Sequence, residues 1–403
     1  MCSLTTMSGL IETFSEATVL QCEFLKKLLD LDMADVAAFS DSMVSFLSPT
    51  PENKFVYGLA AGRSALSLYS FLQLIQNHFD NVFPFTLEDP VQRHYRKGSK
   101  SLGLAISGSG ETSSVNKYIE DVIAHGGDIK LITANEHGTA CRLVRDCDRG
   151  SVLIFKARTK YSTDKETRSR LSPLGTEFEL EVLAFLNAVF KDIQSRLKGV
   201  CDVSCPEYRS TIKDFEENAR LIVEMDPNSL ENWLNRLFPR SGRYVIGGVG
   251  RSGLVARAFE MRFTHLNKIS YWEKDFNTPS FQIGDVYVPI SGTGNTYEAL
   301  EGSVHAMNKG ADVMPITANR SSRLVSLMKK HGRYDDIVFV PVKPEYSGLF
   351  SGDTSSTTWL MSDYTKFRYP IFEINASIFT NSVVALGAEF LGIVEAGMRR
   401  LHV

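Results

Sequence analysis

Cysteine and tryptophan are scarce, at six and three residues in a chain of 403. So few and so dispersed cysteines exclude a disulfide scaffold. Cys201 and Cys205 are four apart and Cys141 and Cys147 six apart, without a CxxC partner or a histidine pair at zinc-finger spacing. The tetrahedral ligand set of a structural zinc is missing, so no metal is expected, and the thiols read as free in a reducing cytoplasm. An excess of one charge is also lacking: 44 Lys+Arg against 47 Asp+Glu leaves −3. That balance carries no electrostatic signature for nucleic acid or an anionic membrane. No apolar run reaches the roughly 20 uninterrupted residues of a membrane span. The first twenty residues have no basic segment and carry Glu12 and Glu16, unlike a secretory signal, and read as the start of a helix. A cytoplasmic protein without membrane or nucleic-acid partners is expected.

What is present is an ordinary globular composition, 43% hydrophobic and 23% charged, in a chain too long for one core at roughly 100–200 residues per domain. It is also a repeat. KFVYGLAAGRS at 54–64 returns as RYVIGGVGRS at 243–252, and LGLAISGSGET at 102–112 as VYVPISGTGNT at 286–296. KLITAN at 130–135 returns as MPITAN at 314–319, and Phe178-Glu179 as Phe372-Glu373, each pair before an apolar run. The offsets are 188, 184, 184 and 194 residues, in one order. Two tandem domains, 1–200 and 201–403, follow, with the boundary near the stretch Gly199 to Pro206.

Each half alternates strand and helix. In the second half, strands are expected at Arg243–Gly247, Lys268–Trp272, Asp285–Ile290, Asp312–Thr317 and Asp336–Val342. Helices are expected at Leu254–Leu266, Thr296–Lys309, Ser322–His331 and Pro370–Leu386. Short apolar strands separated by helices predict an α/β fold with a parallel sheet covered on both faces. Ligands of such sheets sit at the carboxyl ends of the strands, where glycine-rich turns feed helices.

The first such turn, Gly248-Val249-Gly250-Arg251-Ser252-Gly253, matches the dinucleotide pattern GxGxxG, and Glu273 stands at a spacing suited to a ribose contact. Its counterpart, Leu59-Ala60-Ala61-Gly62-Arg63-Ser64-Ala65, keeps only Gly-Arg-Ser, which a dinucleotide does not require. No cofactor is expected. The second turn is Ser107-Gly108-Ser109-Gly110-Glu111-Thr112 in one half and Ser291-Gly292-Thr293-Gly294-Asn295-Thr296 in the other. Its glycines let the backbone wrap an anion. The hydroxyls of Ser107, Ser109 and Thr112, or of Ser291, Thr293 and Thr296, can donate to it, and the next helix points free N–H groups at the same spot. The plainer alternative is a helix cap, which needs one hydroxyl and not three.

Strand–SGSGET–helix resembles the phosphosugar loop of the sugar isomerase (SIS) domain, in particular that of 6-phospho-3-hexuloisomerase. Gly248 to Gly253, then Arg257, Phe259, Met261-Arg262 and His265-Leu266, resembles that family's GxGRSG…FxMRxxHLG. Thr278-Pro279 resembles its Thr-Pro, and Leu174-Gly175-Thr176 with Phe178-Glu179 its MGTxFE. The resemblance implies α/β/α sandwiches with five-stranded parallel sheets, a sugar phosphate ligand and an oligomer. Since family members carry one domain per chain, an intrachain pseudo-dimer is expected, with a homodimer of chains also open to it. Each half departs from the pattern. The first has Asn77, next to His78, where the second has His265; the second reads Tyr369-Pro370-Ile371-Phe372-Glu373, without the Leu-Gly-Thr.

Moving a carbonyl along a sugar needs a base that takes a proton from the neighbouring carbon and returns it. Glu373 is the only formally charged residue between Arg368 and Glu389, and an apolar setting raises a carboxyl toward working pH. Glu179 holds the same place in the first half, with Glu177 and Glu181 beside it. The alternative for either glutamate is an ion pair with Arg63 or Arg251. His265 reads as a helix-end histidine on its own and, through the resemblance, as a catalytic or substrate-contact residue. Arg63 and Arg251, with Ser64 and Ser252 next to them, are expected to bind substrate, the guanidinium supplying paired hydrogen bonds and charge for an enediolate. The expected activity is phosphosugar isomerisation through a cis-enediol. The rival is a non-catalytic phosphosugar sensor on the same fold.

Overall fold

A computed structural model describes residues 7–89, 100–159, 170–347 and 370–400. Tyr369 of the second half's motif lies outside them. The chain forms two compact units. One comprises the described parts of Glu23–Thr163 and Leu174–Asp214, and the other those of Met1–Cys22, Asp164–Pro173 and Phe215–Val403. Both are α/β with an all-parallel sheet, as the alternation of short apolar strands and helices predicts.

The first unit contains β1 (Lys54–Ala60), β2 (Val82–Thr86), β3 (Lys100–Ile106), β4 (Asp128–Thr133) and β5 (Gly150–Ile154), in the order β2-β1-β3-β4-β5. From β1 the chain steps outward to β2, then crosses back to lay β3 on the other side of β1. The reversal falls between β1 and β3, paired in register from Lys54↔Lys100 to Ala60↔Ile106. A crevice opens at such a switch point, at the strands' carboxyl ends. On one face the helices Gly62–His78 and Thr176–Leu197 pack with Phe71 edge-on to Phe190 at 5.9 Å. On the other, Tyr57, Leu59, Ile129 and Leu131 meet Val115, Ile119 and Val144 of Ser113–Ala124 and Thr139–Arg145.

The second unit repeats the plan with β6 (Tyr244–Gly248), β7 (Ser270–Trp272), β8 (Val286–Ile290), β9 (Asp312–Val313), β10 (Ile316–Thr317) and β11 (Val338–Phe339). The order is β11-β10-β8-β6-β7, with β9 also on β8. Its switch point lies between β6 and β8, in register from Tyr244↔Val286 to Gly248↔Ile290. Three expected strands are cut down, and of Lys268–Trp272 only Ser270–Trp272 remains. The one expected at Asp312–Thr317 is divided into β9 and β10 at Pro315, which has no N–H to give the ladder. The Pro315 carbonyl still accepts from the Val338 N–H at 2.9 Å. The strand expected at Asp336–Val342 keeps only Val338–Phe339, after a 3₁₀ turn at Tyr334–Asp336.

Among the described residues, Ile371–Phe390 is the one helix long and apolar enough to cross a membrane. It is a core helix here: 83% of its most apolar stretch is buried, Ser382 accepts hydrogen bonds from Thr18 and Gln21 at 2.9 Å, and Phe379 packs on Phe14 and Trp233.

Candidate functional site

The glycine-rich turns lie where the topology opens each sheet. In the first unit Ser107 is buried, its Oγ accepting the Gly110 N–H at 3.2 Å, and Ser109 Oγ accepts the Glu111 N–H at 3.2 Å. In the second, Ser291 Oγ accepts the Gly294 N–H at 3.1 Å and lies 3.0 Å from Thr296 Oγ1, while Thr293 Oγ1 accepts the Asn295 N–H at 3.2 Å. A hydroxyl that accepts from its own loop keeps its proton for another acceptor. Thr112 and Thr296 occupy the N-cap positions of Ser113–Ala124 and Tyr297–Asn308, yet neither side chain caps. The capping alternative therefore does not describe them. Gly110 and Gly294 sit at φ +68° and +61°, the left-handed region a side chain resists. The arrangement can hold a small anion against hydroxyls and a helix N-terminus.

A second set of residues holds these loops, and it is the same set in both units. Asn135 Nδ2 donates to the Ser109 carbonyl at 2.8 Å and Asn319 Nδ2 to the Thr293 carbonyl at 3.0 Å. Thr133 and Thr317 hydroxyls reach the Gly108 and Gly292 carbonyls at 3.4 and 3.3 Å. Loop position five ties onward to the next helix. Glu111 accepts from the Thr139 N–H and hydroxyl, which draws its carboxyl below the ordinary range, and Asn295 accepts from the Arg323 N–H at 2.8 Å. Sequence reasoning saw the Ile-Thr-Ala-Asn repeat but gave it no role. The recurrence of a polar pair at the end of a strand was the signal.

The glutamates lie at the same carboxyl edge. The Phe178 ring packs so closely on Gly108 that a Cβ there would come within 2.9 Å, so the helix that carries Glu179 begins against the loop. Arg63, buried in the turn after β1, pairs with Glu179 at 2.9 Å and donates to the Leu174 carbonyl. Burial lowers the Arg63 pKa, and Glu179 pulls it back up. Glu179 is thus held by the arginine of the turn after β1. In the second unit the partner is different: Ser252 Oγ donates to Glu373 at 3.1 Å. Ser64 and Arg251 occupy the matching turn positions, each half-buried.

His265 is buried thirteen residues along its helix from Ser252, about 20 Å at the α-helical rise. Because β7 runs parallel to β6, that helix must return to the amino ends of the strands. His265 is therefore not brought to the loop of its own unit. His78 bonds its own helix at the Leu74 carbonyl and packs on Phe190, while Asn77 is exposed. Glu273 accepts the Tyr287 hydroxyl at 2.9 Å. No cluster of His, Cys, Asp and Glu among the described residues could hold a metal.

Parallel α/β units with a glycine-rich, hydroxyl-lined loop at the switch point and a tethered glutamate at the same edge define a class of α/β sandwich. Known proteins narrow it. No family model matches the chain. A 3-hexulose-6-phosphate isomerase of Methylomonas aminofaciens is 32% identical over 166 residues, 41% of this chain and 82% of that protein. An uncharacterized protein of Aeropyrum pernix is 31% identical over 198 residues, 47% of this chain and 90% of that one. Among solved structures, tagatose-6-phosphate ketose/aldose isomerase from Escherichia coli shares the fold with a TM-score of 0.61 at 12% identity, over 98% of this chain and 95% of that one. The chain belongs to the SIS family of sugar isomerases.

Proposed function

We propose that the chain is a phosphosugar isomerase that works through a cis-enediol on a ketose phosphate such as a hexulose 6-phosphate. The observation that carries this reading is a glutamate tethered at the carboxyl edge in each unit, Glu179 by Arg63 and Glu373 by Ser252, at the switch point that also bears the hydroxyl-lined loop. The 3-hexulose-6-phosphate isomerases among the relatives support the substrate type.

In the proposed reaction, Ser107, Ser109 and Thr112, or Ser291, Thr293 and Thr296, hold the phosphate. The glutamate carboxylate takes the proton from the carbon next to the carbonyl, and the electron pair moves to the carbonyl oxygen. The resulting enediolate is held by Arg63 or Arg251. The proton returns to the former carbonyl carbon, while a hydroxyl proton passes between the two enediol oxygens. No redox partner is needed.

The second reading, a phosphosugar sensor, is favoured by the unequal furnishing of the halves. Solvent deuterium exchange into hexulose 6-phosphate separates the two. Wild type should exchange, and Glu179→Gln together with Glu373→Gln should lower exchange by about 10²–10⁴-fold, the usual worth of general acid–base catalysis, with phosphosugar affinity kept. Binding without any exchange by the wild type would leave the sensor.

A further inference from the structure

The repeat offers an internal comparison at one spot beneath the Gly-Arg-Ser turn. In the first unit, Leu59 of β1 and Ile129 line Gly103 of β3, and Leu87 after β2 and Tyr118 of the helix Ser113–Ala124 close the same apolar cluster. The sheet registers and the 184-residue offset put Gly247, Glu273, Tyr287 and Gly302 at the positions of Leu59, Leu87, Gly103 and Tyr118. The two leucines have thus become a glycine and a carboxyl, while the phenol has moved from the helix, where Gly302 now stands, to the strand position of Gly103. The glycines are space for that carboxyl and its partner: a Cβ on Gly247 would lie 2.1 Å from Glu273 Oε2, and one on Gly302 would lie 2.5 Å from the Tyr287 hydroxyl and 2.9 Å from Oε1. Tyr287, fully buried, donates its hydroxyl to Oε1 at 2.9 Å. The Glu273 N–H itself bonds the Ile246 carbonyl at 3.0 Å.

A carboxyl taken out of water is destabilising unless something uses it, and the first unit shows that leucine fills this position. Gly247 and Gly248 end β6 and lead straight into Gly250-Arg251-Ser252. We propose that Glu273 is a positioning residue of the second unit's site: wedged between Gly247 and Gly302 and tied to Tyr287, it sets the end of β6 and so the aim of Arg251 and Ser252. Burial raises its carboxyl above the ordinary range. Facing it are Tyr287, whose bond lowers it, Lys274, which lowers it, and Glu298 of the first turn of Tyr297–Asn308, which raises it. The inference rests on the proposed phosphosugar site.

Calorimetry with two probes tests it, in full-length protein whose first loop is silenced by Gly110→Ala. Inorganic phosphate reads the second loop alone; fructose 6-phosphate reads the loop and the sugar contacts of Arg251 and Ser252. Glu273→Leu should leave phosphate affinity unchanged and cut the sugar's gain over phosphate by about tenfold, the worth of one well-placed charged hydrogen bond. Glu273→Gln, which still accepts from Tyr287, should restore the gain. Should Glu273→Leu not fold, Tyr287→Phe takes its place, with a loss of about threefold expected from one side-chain hydrogen bond. A sugar gain untouched by Glu273→Leu, or lost in step with phosphate affinity, overturns the assignment. A starting protein that binds fructose 6-phosphate no tighter than phosphate instead overturns the proposed function, and the positioning role with it.

Discussion

Three glutamates alternate along Thr176–Leu197, and helical geometry sends them to different places. Glu177 and Glu181 are four apart and share a face; Glu179, between them, points away from both and meets Arg63. Glu177 pairs with Lys27, while Glu181 is buried with Oε1 lacking a hydrogen-bond partner, and burial, seconded by Glu177, pushes it up to about 8. The unfolded chain gives up this proton near pH 4.5, the folded chain near 8. Between those values the folded state binds the extra proton, so stability falls as pH rises, by about 1.4 kcal/mol per unit at most. The stability is whole below pH 4.5 and lost above about 8. Urea unfolding at pH 5, 7 and 9 should therefore show wild type weakening relative to Glu181→Gln. Parallel profiles would mean that Glu181 ionises freely in the fold. The alternation was visible in the sequence, but which glutamate met the arginine depended on where Gly62–His78 packs against this helix.

At the scale of the element, the loop and the turn after the next strand act together. Asn135 and Asn319 supply an N–H₂ that only an amide has, aimed at the Ser109 and Thr293 carbonyls. Asn319→Ala removes that bond, and phosphate affinity should drop about five- to tenfold, in line with one hydrogen bond of about 1 kcal/mol. Asn319→Asp should be worse, because it loses the donor and adds a negative charge beside the anion. Titration calorimetry with inorganic phosphate gives the order; affinity unchanged in both variants would show that the turn does not hold the loop. Proline acts at this scale too. Leu131 lies inside an unbroken β4, whereas Pro315, its counterpart, splits the strand and leaves β11 two residues long. The apolar pattern predicted one strand because Pro315 sits within a hydrophobic run; the missing N–H decided otherwise.

Across the whole molecule, two loops of the same design stand in two units, so the chain should bind two equivalents of phosphate. Gly110→Ala and Gly294→Ala each force a side chain into the left-handed region, and at Gly294 the new Cβ would also meet Ser322 Oγ at 2.3 Å. Each variant should lose one equivalent and keep the other, and the double variant both; equilibrium dialysis counts them. Loss of both equivalents on a single substitution would show that the two loops do not bind independently.

The order of strands and helices, the duplication, the family and the two turns were all determined by local pattern: apolar runs of strand length, glycines where the chain must bend, and hydroxyls at fixed spacing before a helix. These are properties of short segments, and they read directly from the residues. What a distant residue meets was decided only in the tertiary structure. Arg63 finds Glu179 across 116 positions of chain and Ser252 finds Glu373 across 121. Glu273, whose spacing fitted a ribose contact, is instead turned onto Tyr287 because two glycines on different elements leave it room. His265 keeps its family motif yet lies at the far end of its helix from Ser252, since a helix joining two parallel strands has to run back along them.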